Sequence, residues 1–438
     1  MHETPEPLVA LRRELHRHAE PGWCEVNTAV TVVKTLKSLH FDVRFGRDVV
    51  RSGARMGLPS PEIMQRFYDY AIRHGAEHEI AARVRDGFTG VVGIIHGDKP
   101  GPVVAVRMDM DANFGHEADD PDHLPASKGF RSHHAGVHHN CGHDGHTAIG
   151  IGLAQFLSQH RTDLCGEVRL IFQPAEEGLR GAKAMVEAGV LDGVDLFFGF
   201  HIGVQALEPG ELIAGYRNIL GSVKFDVTFT GKSAHAAISP HIGRNAILAA
   251  AIATQALLSL PRHGDGETRI NVGRISGGDS RNTIPSSARV EVEVRADSTP
   301  ILNFLQTQAE GAVRGAALTQ GVDATIDFCG SSCTGNSDPE LTEFVARIAG
   351  TTDVVTSIRA TADFKGSDDA AVMMDAVQRN GGQAVYMGFG SPLAAVHHNQ
   401  RFDFDERVLS FGVTVLQKLV RATGDFSPGK RDQPRNVR

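Results

Sequence analysis

No stretch of this 438-residue chain is long and apolar enough to cross a bilayer. The greasiest segment, 246–260, is interrupted by Thr254, Gln255 and Ser259 and falls short of the ~20 residues a span requires, so it reads as a packed helix. A basic stripe is missing as well. The 44 Lys+Arg against 52 Asp+Glu leave a net charge of -8, with no run able to follow a phosphate backbone, and nucleic acid is not an expected partner. The five cysteines (Cys24, Cys141, Cys165, Cys329, Cys333) are odd in number and scattered, which excludes a disulfide framework and suits a reducing compartment. Cys329 and Cys333 have no second pair nearby and read as structural thiols. Residues 1–7, Met-His-Glu-Thr-Pro-Glu-Pro, carry neither a basic n-region nor an apolar h-region, so no export is expected and the cytoplasm is the expected location.

What the chain does have is length beyond the ~250–300 residues at which one core stops growing, so two domains are expected. Two helical patterns occupy 8–40, and a charged helical stretch follows at 61–86. Apolar, β-branched runs at 91–95, 103–108, 168–172 and 196–200 come next, with a long helix at about 144–160. Strands that are apolar on both faces and alternate with helices indicate a mainly parallel α/β sheet. The pattern then changes. Strand 224–230, helix 243–260, strands 268–276 and 288–295, helix 301–319 and strand 324–329 give the order β-α-β-β-α-β, a split ferredoxin-like unit. The α/β pattern returns after Asn336, with a strand at 383–389 and a helix at about 406–421. The expected organisation is therefore a large domain of 1–215 and 331–425, an α+β domain of 216–330 inserted into it, and a flexible tail at 426–438.

Ligands of open parallel sheets lie beyond the carboxyl ends of the strands. Polar residues gather there: Asp109 and Asp111 after 103–108, Glu176 and Glu177 after 168–172, His201 after 196–200, and His397 and His398 after 383–389. Opposite these ends, where the long helix begins, stands Cys141-Gly142-His143-Asp144-Gly145-His146. Thiolate and imidazole suit zinc, and the carboxylates extend the range to manganese or cobalt. So many like groups would repel one another without a cation, and two divalent ions ~3.5–4 Å apart would accept about this number of ligands around a shared water. One of the paired glutamates would then bind metal, and the other would take the water's proton and deliver it to a leaving nitrogen. The expected reaction is metal-dependent hydrolysis of an amide.

With these residues in place, the chain resembles the amidohydrolase branch of the aminoacylase and glutamate-carboxypeptidase superfamily of dinuclear metallopeptidases. The marks are Arg107-Met108-Asp109-Met110-Asp111, the Cys141–His146 motif, Phe172-Gln173-Pro174-Ala175-Glu176-Glu177-Gly178 and Ser233-Ala234-His235. The resemblance covers nearly the whole chain and implies two divalent ions, manganese or zinc. It implies Cys141 (bridging), His143, Glu177, His201 and His398 as ligands, Glu176 as general base and Asp111 as an orienting carboxylate. His398 is preferred to His397 because the family's ligand lies four residues before an aromatic, here Phe402. The inserted domain becomes a lid and dimerisation domain that supplies residues to the site, often across a dimer interface: His235 would polarise the scissile carbonyl, and Asn282 and Arg295 would bind substrate. The helical insertion at 46–90 and the segments around 397–399 and 402–406 are similar to a narrower group within that family. It splits the amide between p-aminobenzoate and glutamate, a folate-breakdown fragment, and pairs with a homologous B subunit. An aminoacylase-like acyl specificity, or activity only with such a partner, stands as the alternative. Either a homodimer or a heterodimer is implied, acting on a small acyl-amino acid. Two positions depart from the family pattern: Asn113-Phe114 stands for Leu-Pro, and Ser367-Asp368-Asp369 for Ser-Glu-Asp.

Overall fold

The apolar runs become the middle of an eight-stranded sheet in the computed structural model of the protein, which describes residues 4–426. The order is Asp42–Phe45, Val91–His96, Cys165–Gln173, Lys99–Asp109, Leu196–Ile202, Gln383–Phe389, Glu211–Arg217, Ser357–Asp363. The four strands from Cys165–Gln173 to Gln383–Phe389 run parallel, so their carboxyl ends share one edge. The α/β expectation holds, with antiparallel pairings toward both edges. Leu196–Ile202 and Gln383–Phe389 are buried along their whole length, because helices cover both faces. Helices Glu6–Arg17, Val26–Ser38, His143–Gln159, Pro339–Ala349 and Arg407–Ala422 contribute to the core on one face. Ala182–Val186 and Ala370–Arg379 contribute to the core on the other.

Between Leu220 and Cys333 the chain builds a second, four-stranded sheet in the order Thr268–Gly277, Ser287–Ala296, Gly221–Thr230, Asp323–Ser332, all antiparallel. Alternation along these strands sorts the side chains by face. Val223, Phe225, Val227 and Phe229 pack with Val290, Val292 and Val294 beneath helices Ala246–Leu258 and Thr299–Gln320. The intervening Lys224, Asp226, Arg289, Glu291, Glu293 and Arg295 are left on the opposite face. Entry and exit lie side by side, since the Ile219 and Gly335 amides each donate to the other's carbonyl, at 3.0 and 3.1 Å. The small sheet thus starts at Gly221 and ends at Ser332, while the strand reaching Arg217 still belongs to the large sheet. Gly330 allows the close approach of the two bodies: a Cβ there would sit 1.8 Å from the Gly178 carbonyl oxygen. The next amide, Ser331, donates to the Leu179 carbonyl at 2.8 Å.

The 46–90 region forms helices Pro61–Arg73 and His78–Val84, packed on the helix Val26–Ser38. Its loop is tied down by the Trp23 indole N–H and the Arg180 guanidinium, which donate to the Met56 and Gly57 carbonyls at 2.8 Å each. This leaves Leu58 near the carboxyl edge of the sheet. Phe426, placed in the tail by the sequence pattern, packs edge-on against Phe344 at 5.1 Å, because an aromatic ring finds apolar cover even after the last helix. The rest of the expected tail lies outside the described residues. Among the described residues, no helix is long and apolar enough to cross a membrane, and all five cysteines are free.

Candidate metal centre

Each strand end delivers a group to one place. Asp111 follows the strand Lys99–Asp109, and its carboxylate accepts from the Glu176 and Glu177 amides at 3.0 Å each. That pair of bonds fixes the turn after Cys165–Gln173, where Ala175 (φ 50°) and Leu179 (φ 65°) hold left-handed conformations that non-glycine residues seldom adopt. Two further buried carboxylates secure the same turn. Glu25 accepts from the Ala175 amide at 2.7 Å, and Asp369 from the Gly181 and Ala182 amides at 3.1 and 2.9 Å. Gly142, at φ 93°, turns the chain into the helix His143–Gln159 and so places Cys141 and His143 on either side of that entry.

The histidines are held in orientations that could serve a metal. The His143 Nδ1–H donates to the Asp111 carbonyl at 2.9 Å, which leaves Nε2 as a lone pair that is buried and without a hydrogen-bond partner. The His201 Nδ1–H donates to the Ile202 carbonyl at 2.9 Å, and its Nε2 lies 3.5 Å from the Cys141 sulfur. This tautomer-fixing arrangement is the usual support of metal-bound imidazoles. Of the adjacent pair, His397 turns its Nε2 to the Ile202 carbonyl at 3.1 Å, whereas His398 Nε2 sits 3.3 Å from Glu177 Oε1. Ligand atoms within 4.8 Å of one another form the groups Cys141, His143, His201 and Cys141, Glu177, His398, which share the thiol. An orphaned imidazole nitrogen in a set of sulfur, nitrogen and oxygen donors fits divalent cations.

The two glutamates differ in surroundings. Burial opposes ionisation of Glu177, but hydrogen bonding to His398 and the nearby His143 hold it at about 2. Burial, with Asp368 and Glu177 beside it, pushes Glu176 well above the usual carboxylate range. Neighbouring carboxyls driven apart in this way suit separate acid–base and ligand roles. Burial and Glu177 likewise raise the Cys141 thiol well above its ordinary value, which a cation would reverse.

A model of peptidase family M20/M25/M40 matches residues 105–422. The chain belongs to that family. It is 44% identical over 411 residues to the A subunit of p-aminobenzoyl-glutamate hydrolase from Escherichia coli (strain K12), covering 93% of each protein. It is 42% identical over 413 residues to indole-3-acetyl-aspartic acid hydrolase of Enterobacter agglomerans, covering 93% of this chain and 94% of that one. The crystal structure of an aminobenzoyl-glutamate utilization protein from Klebsiella pneumoniae aligns with TM-score 0.79 at 38% identity and 95% coverage of both chains. M20 membership makes this chain an amide-cleaving hydrolase, as its motifs implied.

Within this M20 fold, Cys141, Glu176, Glu177, His201, His398 and Arg295 line one cavity of about 310 Å³. Asp111 and His143 are buried and bonded to each other, Asp111 also holding the turn that carries the glutamates. Within one chain His235 and Asn282 do not line that cavity, as residues expected to act across a dimer interface need not. They lie on and beside the Ala234–His235 and Thr283–Ile284 ribbon, where His235 pairs with Thr283 and the Ala236 amide donates to the Asn282 carbonyl at 3.0 Å. The physical reason is that this ribbon is an excursion from the small sheet, flanked by the exposed residues 236–238 and 279–282, and it does not fold back onto the large sheet of its own chain. His235 Nδ1 accepts from the Ala237 and Ile238 amides at 3.2 and 3.1 Å, so Nε2 carries the proton and the ring is set as a donor. Asn113, singled out in the sequence as a departure but given no role there, donates its amide to Glu177 Oε1 at 2.5 Å and to Asn140 at 2.8 Å. Its departure from the family pattern was the available signal. Asp368 and Asp369, the other departure, lie within ligand distance of Glu176, with Arg107 as their buried cation at 3.3 and 3.2 Å.

Proposed function

We propose that this M20 enzyme hydrolyses the amide between an aromatic acyl group and an acidic amino acid, p-aminobenzoyl-glutamate being the first such substrate. The observation that carries the chemistry is the pair of ligand groups sharing Cys141, with the Glu176 carboxyl beside them on the cavity wall. In this reading Cys141, His143, Glu177, His201 and His398 hold two divalent ions, manganese or zinc. When bound, such ions supply Lewis acidity toward water and toward a carbonyl oxygen. Glu176 accepts the proton of the attacking water and passes it to the leaving nitrogen. Asp111 and Asn113 keep the glutamate turn and Glu177 in register, and the Nη1 edge of Arg295, 3.4 Å from Ser367 Oγ, meets a substrate carboxylate.

The names of the two bacterial relatives support the substrate class, since both describe an aromatic acyl group on an acidic amino acid. A second cavity of about 600 Å³ shares Glu177, Gly178 and Lys224 with the first and is flanked by Phe114 and Leu58, exposed hydrophobics that suit an aryl group. His235 serves as carbonyl donor, with Asn282 beside it, from the lid of a second protomer, either another copy of this chain or a homologous B subunit. The Escherichia coli relative is itself named as the A subunit of its enzyme. Free thiols suit a cytoplasmic setting. The test is release of p-aminobenzoate from p-aminobenzoyl-glutamate by the purified chain, stripped by a chelator and then resupplied with zinc or manganese. Activity should vanish on stripping and return with metal. Full activity in the metal-free protein would refute the reading.

A further inference from the structure

The cavity beside Glu176 has the carboxyls of Glu176, Glu177 and Asp368 on its wall, and opposite them more cationic side chains than one substrate carboxylate needs. Lys224, Arg295 and Lys365 all line it. Strand alternation puts Lys224, Glu293 and Arg295 on the same open face of the small sheet, with Glu293 directly across from Lys224. Glu293 spends both oxygens on Arg295, accepting from Nε at 2.7 Å and Nη2 at 3.0 Å. Lys224 shares that carboxylate with Arg295 as a looser ion pair at 3.7 Å, so one carboxylate faces two cations and leaves positive charge over. Arg295 is thereby reduced to its Nη1 edge beside Ser367, enough for one carboxylate.

Lys365 makes no ion pair among the described residues, and its backbone is left-handed at φ 62°. Its neighbours are pinned on both sides: the Phe364 amide donates to the Arg217 carbonyl, and the Leu220 amide to the Gly366 carbonyl, each at 2.8 Å. A lysine held in this conformation at a cavity wall, without a partner, is a strained position that the surrounding crossover enforces. The aryl-side cavity differs in charge. There Arg289 is already paired with Asp226 and lies 3.8 Å from Glu291.

We infer that Lys224 and Lys365 form the seat of a second substrate carboxylate, so that the leaving amino acid must be a dicarboxylate of the aspartate or glutamate type. This deepens, and rests on, the reading of the same cavity as an amidohydrolase site. Arg295 with Ser367 holds the α-carboxylate, and the two lysines hold the side-chain carboxylate. Two cationic groups on separate bodies, the small sheet and the 364–368 loop of the large domain, bring charge to the cavity from both sides.

The test compares metal-loaded wild type with Lys224→Gln, Lys365→Gln and Lys224→Arg on benzoyl-glutamate and its neutral isostere benzoyl-glutamine. The quantity read is the ratio of the two kcat/KM values. It should favour glutamate in the wild type and fall about tenfold for each Gln variant, the loss of one hydrogen bond to a charged group, chiefly through KM. Lys224→Arg should keep most of the preference. A ratio unchanged in both Gln variants, or an equal loss on both conjugates, would overturn the inference while leaving the amidohydrolase reading intact. Failure of the wild type to cleave either conjugate would instead bring down that reading and the inference with it.

Discussion

In the proposed reading, Asn113 supports the metal site without touching the metal. Its amide donates to the oxygen of Glu177 that faces His398, and so fixes the carboxylate rotamer. Loss of such a support typically weakens metal binding ~10–100-fold. Asn113→Ala should therefore release metal at a lower concentration of competing chelator than the wild type, with the fold unchanged by circular dichroism. Equal retention in the two proteins would remove Asn113 from the site. The position was visible in the sequence only as a departure from Leu-Pro. Nothing in its spacing said that it would reach Glu177, because a contact between residues 113 and 177 depends on two neighbouring strands and the turn between them. His143 and Cys141 were legible for the opposite reason: their chemistry is local, within one helix entry.

The elements of the sheet that the sequence revealed are those buried on both faces, where β-branched and aromatic residues run without interruption. Three flanking strands escaped notice. Asp42–Phe45 has four residues, Ser357–Asp363 is almost wholly exposed and polar, and Glu211–Arg217 lies where the chain prepares to leave the sheet. The β-α-β-β-α-β order of the small sheet was legible because its alternation is clean, and that same alternation sets Lys224 and Arg295 on one face. The helix Pro61–Arg73 carries a further consequence. It packs Phe67 and Tyr70 on His134, with ring centroids at 4.6 and 4.0 Å, and burial, with Arg66 nearby, lowers this histidine to about 4. The folded pKa lies below the unfolded value of 6.5, so the unfolded chain binds more protons in between. This contribution to stability is complete above 6.5 and is lost as the pH falls toward 4. Melting temperatures measured across that window should drop, and His134→Phe should flatten part of the slope. An identical slope in the variant would show that His134 binds protons alike in the folded and unfolded chain, contrary to this account.

Across the whole molecule, the site is assembled from both ends of the chain. Arg12, fully buried in the first helix, donates to Asp144 at 2.8 Å and Asp403 at 2.6 Å, and reaches Glu406 at 3.3 Å. It thereby ties the amino-terminal helix to the Cys141–His146 motif and to the segment after His398. His16 adds bonds to Asp144 and Glu117 at 2.8 and 2.9 Å. Such buried charges are tolerable only when every one is paired, and the pairings to Asp144 and Asp403 hold the segments that carry the candidate ligands His143 and His398. The small sheet then closes over the same edge through Gly330. All of this converges on two adjacent glutamates, to which the proposed mechanism gives different work. The most direct measurement is the metal content and turnover of Glu176→Gln with p-aminobenzoyl-glutamate. Removing a general base while keeping the ligands should leave the bound metal equal to that of the wild type and lower kcat by ~10²–10⁴. Loss of metal in this variant, or turnover close to the wild type, would contradict the division of labour between Glu176 and Glu177.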